Sequence, residues 1–131
     1  MYDLISKKWE RSFFKGSSKK IIDVSEVFTS SGQFSPTASY LVLAQQYDSM
    51  PDWFFQSKDL PFGDFFIEAI MGRDGISYIP DVLSVYRVNV PGSYTIRAKL
   101  MDTRQLIERL CSFVFFTNKL LEYDSIPAYA F

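Results

Sequence analysis

The chain has 131 residues, a formal net charge of -1, no histidine and a single cysteine, Cys111. These values exclude a disulfide framework, His-based triads and proton shuttles, and nearly all zinc sites. Without a positive field to gather phosphate backbones, no nucleic-acid partner is expected. Aromatic residues make up 18% of the chain, 13 Phe and 8 Tyr among them, so it reads as folded, with 1-131 forming a single domain. Cys111, inside the apolar run LCSFVFF, reads as a buried, inert thiol, and acid/base chemistry falls to carboxylates, Tyr or Lys. No apolar stretch reaches the roughly 20 residues that span a bilayer, and the first residues lack a signal-peptide pattern, so a cytoplasmic location is expected.

In chain order, residues 1-20 carry +4 and the remainder -5. That asymmetry suits either an ordinary solvated face or peripheral contact with the inner face of a membrane, with Trp9, Phe13 and Phe14 as interfacial anchors. The turn-rich stretches KGSSKK and TSSGQFSPTAS flank KIIDVSEVF, which is too short to assign from its pattern. YLVLAQQYDSM begins as a short apolar strand or helix. PDWFFQSKDLPFG, with two prolines and a glycine, predicts a surface loop whose Trp and Phe rings must pack on something.

From Asp64 the pattern sharpens. DFFIEAIMG predicts a short helix with Glu68 outward and Gly72 at its C-cap, and RDG predicts a turn. ISYIP and DVLSVYRVNV predict strands; alternation in the second puts Arg87 and Asn89 on one face with Leu83 and Val85, opposite Tyr86 and Val88. After the PGS break, apolar positions Leu106, Leu110, Phe113 and Leu120, beside Ile107, Val114 and Leu121, predict a long amphipathic helix within 98-122. Asp102 and Gln105 would form its capping box, or it would start earlier, near Thr95.

Asp64 admits two readings. Asp commonly starts a helix, where the dipole and unpaired amides favour negative charge, so its position alone accounts for it. It could also be a general base, if the aromatic loop upstream supplies flat surfaces for sugar rings. The order of the features bears on this choice: SPTASYLVL, MPDWFF, then GDFFIEAIMGRDGISYIPDVLSVYRVNVPGSYT resembles the C-terminal half of the family 2 glycosyltransferases with the GT-A fold, over about residues 35-97.

The resemblance implies an α/β chain with a partial GT-A-like fold, a short mixed sheet with flanking helices and a long C-terminal helix. It makes Asp64 the base, puts Trp53, Phe54 and Gly63 at the acceptor site, and brings Tyr86, Arg87 and Asn89 near the donor phosphates. The partners implied are a nucleotide sugar and a glycan or lipid-linked acceptor, as in building a bacterial surface polysaccharide, and the cofactor of the full-length enzyme is a divalent cation, Mg or Mn. The chain departs from the family in three ways. Asn89 stands where the family has His, no Arg follows the Ser-containing segment, and neither the nucleotide-binding strand nor an Asp-x-Asp metal motif is present. The chain is therefore expected to be an acceptor-side fragment, inactive alone, with no metal ligands and none bound, and associating as a homo-oligomer through the face its missing half would cover. The alternative is a non-catalytic interaction domain or degenerate remnant in which the same residues serve packing and caps.

Overall fold

Asp102 accepts the backbone N-H of Gln105 at 2.8 Å, and the Gln105 side-chain oxygen accepts the Asp102 N-H at 3.0 Å. This capping box opens the longest element, the helix Thr103–Glu122, where the sequence predicts it. The computed structural model describes residues 2-9, 15-29, 35-58 and 60-123. Its elements in chain order are β1 (Tyr2–Asp3), β2 (Lys20–Ile22), α1 (Ser25–Thr29), a 3-10 turn (Thr37–Ser39), α2 (Ala44–Asp48), α3 (Asp52–Gln56), α4 (Gly63–Met71), β3 (Ile76–Tyr78), β4 (Arg87–Val88), α5 (Tyr94–Lys99) and α6 (Thr103–Glu122).

The class is mixed α/β with a long C-terminal helix, as expected, but the described strands form two separate pairs instead of one mixed sheet. β1 runs parallel to β4, with Tyr2 opposite Arg87 and Asp3 opposite Val88. β2 runs antiparallel to β3, with Ile21 opposite Ser77.

The main core lies where α3, α4 and α6 meet. Phe66, Ala69 and Leu120 have no exposed surface, and Met50, Ile70, Met71 and Phe116 complete the buried set. A smaller cluster of Ile22, Val24 and Val27 shares Phe28 and Phe65 with the main core, so the β2-β3 ribbon and α1 join α4 through those two rings.

Several expectations are corrected. The PDWFF loop is helix α3: Pro51 occupies the N-cap, Asp52 supplies a negative charge in the first turn, and the contact of Trp53 with Phe66 holds the short helix against α4. The DVLSVYRVNV strand shrinks to Arg87–Val88, because its partner β1 is two residues long, and Val82, Leu83 and Val85 are exposed. Asn89 adopts φ +56, which ends the extended run and breaks its shared face with Arg87. The stretch before Thr103 is a separate helix, α5. YLVL forms no regular element, and Leu41 is 96% exposed. On α6 only Phe116 and Leu120 are buried, whereas Leu106, Ile107, Leu110 and Val114 face outward, as does Cys111, which was expected to be buried.

Gly72 ends α4 as predicted, though not through left-handed backbone, since its φ is -87. Space decides the residue: a Cβ there would stand 2.5 Å from the Glu68 carbonyl oxygen and 2.7 Å from Ile76 Cγ1. Gly75 combines φ +104 with a site where a Cβ would meet Ile21 Cγ2 at 2.6 Å, so the α4-β3 turn is closed twice over. Gly72→Ala is expected to lower stability by about 1–3 kcal/mol, since backbone must move to admit the methyl group. Urea unfolding measures this, and an unchanged midpoint would contradict the close approach.

Candidate functional site

The turn before α4 presents Asp64. Phe62, at the N-cap, sits in left-handed backbone at φ 55 and ψ 49, a conformation rare for a bulky side chain, and its carbonyl accepts the Phe65 N-H at 2.9 Å. Asp64 is half-buried in the first helical turn, and its Oδ1 also accepts the Phe65 N-H, at 3.1 Å. Among the described residues that is its single hydrogen bond. Gly63, beside it, is uncrowded: a Cβ there would come no nearer than 4.0 Å, to Leu60.

The other expected site residues fall into two groups. Trp53 stacks on Phe116 with ring centroids 5.7 Å apart and meets Phe66 edge-on at 5.7 Å, so its half-buried indole packs against the core. Phe54 packs partly against the same core and edge-on against Phe55 at 5.4 Å. These contacts put one face of the half-buried Trp53 indole on Phe116 and hold the ring against the core.

Tyr86, Arg87 and Asn89 are gathered by β1. The Tyr86 carbonyl accepts the Tyr2 N-H at 2.9 Å, exposed Arg87 pairs with Tyr2 in the ladder, and Asn89 Nδ2 donates to Asp3 Oδ1 at 3.0 Å. That amide, with the Ile5 N-H on the same oxygen, holds Asp3 down at about 2. Thus α4 carries Asp64 and gathers the rings of Trp53 and Phe54, while the Tyr-Arg segment is joined to the N-terminal strand. Of the expected membrane anchors, Trp9 is exposed and rests near Tyr2, and Phe13 and Phe14 lie outside the described residues. No helix of the described residues is long and apolar enough to cross a membrane.

Among the described residues no three His, Cys, Asp or Glu side chains lie together to hold a metal ion. Asn89, which stands where the resemblance implies a metal-holding imidazole, donates its Nδ2 N-H to Asp3 Oδ1.

The sequence pattern misplaces one group at this site. Glu68, expected outward, is only 7% exposed. Its Oε1 accepts the Ser35 N-H at 3.0 Å and the Tyr40 hydroxyl, which fastens the 35–40 segment across α4. Glu68 shares a helix face with Asp64, four residues earlier, and what buries it is the 35–40 segment, which lies about thirty positions away and leaves no mark on the pattern of DFFIEAIMG. Burial raises the Glu68 carboxyl to about 7; the Tyr40 and Ser35 hydrogen bonds and Lys15 oppose the shift, and the Asp64 charge one turn away adds to it.

Folding raises this group from an ordinary value of 4.5, so the folded chain holds the proton more tightly than the unfolded chain. The Glu68 contribution to stability is therefore full below about pH 4.5 and is lost as the pH rises through about 7. Asp3 and Asp23 are both held low and stay ionised through that window. The melting temperature should fall between pH 5 and pH 8, and Glu68→Gln should flatten that fall; a Gln variant with an unchanged pH profile would show that Glu68 is not its source.

Comparison with protein-family models, with curated proteins and with solved structures gave no match.

Proposed function

We propose that this chain is the acceptor-side half of an inverting, family 2-like glycosyltransferase with a GT-A-like fold, with Asp64 as its base. The observation that carries the reading is the condition of Asp64: half-buried, at the mouth of a helix, and with one oxygen free of hydrogen bonds among the described residues. Glu68, the other carboxylate of the helix, is committed to Ser35 and Tyr40. The order of quoted motifs, from the Ser-containing segment to the Tyr-Arg strand, supplies the family.

In the proposed step Asp64 takes the proton of an acceptor hydroxyl. The oxygen attacks the anomeric carbon of a nucleotide sugar, the bond to the diphosphate breaks, and the diphosphate leaves with the electron pair and inversion at carbon. A positioned base of this kind contributes about 10²- to 10⁴-fold. The nucleotide and the cation belong to a donor half whose motifs this chain lacks, so the chain alone is inactive. The outward apolar residues Ile107, Leu110 and Val114 of α6 support the further proposal that isolated copies self-associate.

The packing of Trp53 on Phe116 and the Asn89–Asp3 pair favour a second reading, in which these residues serve packing alone and the chain is a non-catalytic remnant.

Asp64→Asn separates the two. In a longer chain carrying a donor half, it should cut transfer by about 10²- to 10⁴-fold and leave nucleotide-sugar binding intact. Undiminished transfer, or turnover by the 131-residue chain alone, would overturn the proposal. Sedimentation should show dimers or larger species, against a clean monomer if the α6 face is not used.

A further inference from the structure

Beside the turn that leads into Asp64, a groove of about 560 Å³ runs between Leu60 and Pro61 on one side and Tyr94 and α6 on the other. None of the residues predicted for the site lines it. Two cations do, Lys58 and Arg109, and neither has a carboxylate partner among the described residues. The one acid of the lining, Glu108, is taken by Arg104 at 2.8 Å, a residue that does not line the groove. The described residues that line the groove therefore carry a net positive charge.

Arg109 is also fixed in place. Its guanidinium carbon lies 4.3 Å from the ring centre of Phe62 and 4.8 Å from that of Tyr94, between two aromatic faces. Phe62 in turn meets Phe113 edge-on at 5.4 Å and keeps its left-handed backbone, so the ring that holds Arg109 belongs to the same turn that presents Asp64. A guanidinium held this way keeps N-H donors for an anion and loses little side-chain freedom on binding it. Lys58 adds a second charge, Ser112 a hydroxyl, and Leu60, Pro61 and Tyr94 a non-ionic wall.

We infer that this groove binds the anionic group, phosphate or carboxylate, of a charged sugar, with Arg109 as the preorganised contact and Lys58 as the second. The anion site stands on the geometry of the groove; that a sugar carries the anion rests on the transferase reading. The groove then deepens that reading, since an acidic acceptor unit held here would lie next to the turn of Asp64.

The test uses the 131-residue chain and amide chemical shifts, with glucose, inorganic phosphate, glucose 6-phosphate and glucuronate as probes. Saturable shifts at Tyr94, Arg109 and Ser112 are expected with at least one charged sugar, about tenfold tighter than with glucose and tighter than with inorganic phosphate, as a charge-assisted contact requires. Which charged sugar binds identifies phosphate or carboxylate. Arg109→Gln should abolish this binding and Lys58→Met, an exposed position, should weaken it with the fold intact. No saturable binding by either charged sugar, glucose or phosphate binding as tightly, or binding unchanged in both variants would overturn the inference. A chain that binds a charged sugar but transfers equally well with Asn at position 64 keeps the groove and loses the base, so the two failures are distinct.

Discussion

The structure depends on one aromatic junction. Phe66 from α4 is fully enclosed, with Trp53 of α3 edge-on to it and Phe116 of α6 stacked against that indole. Phe65, the residue before it, reaches Phe113 and Phe28 and so connects this junction to the cluster under the strand ribbon. Short elements such as α3 have too few internal hydrogen bonds to persist alone, and burial of large rings supplies what the backbone does not. The helix that carries Asp64 is therefore held along its length, while its first turn stays at the rim.

The same helix holds two carboxylates in unlike surroundings. Glu68 is turned inward and shares its oxygen with a backbone amide and a phenol, which makes it a proton-dependent tie between α4 and the segment around Tyr40. Asp64, one turn earlier, is left at the edge. Difference of environment, more than residue type, separates a structural acid from a candidate base. The groove next to that edge follows a similar logic: α6 is amphipathic, but its N-terminal half is not covered, so its cation and hydroxyl line a surface instead of a core.

The resemblance to glycosyltransferases and the packing bear on each other unevenly. Gly63 and Asp64 open a helix, and a strand follows the Gly72–Gly75 turn, both in the expected order. Trp53 serves the core, and Asn89 turns to Asp3, where the family motif led to a different expectation. A motif specifies residue types in order along the chain; whether a ring faces a ligand or a neighbouring helix depends on elements distant in sequence.

From sequence alone, the features set by neighbouring residues were legible: the capping box at Asp102, the short helix that ends at the Gly72 C-cap, and the strand Ile76–Tyr78. These depend on side chains within a few positions of one another, so local pattern determines them. The tertiary structure alone decided that Glu68 is buried, that Trp53 packs against the core, that β4 is cut to the length of β1, and that Arg109 is clamped between Phe62 and Tyr94. Each of those outcomes joins residues dozens of positions apart, and the packing energy that selects among them exists only once distant segments meet.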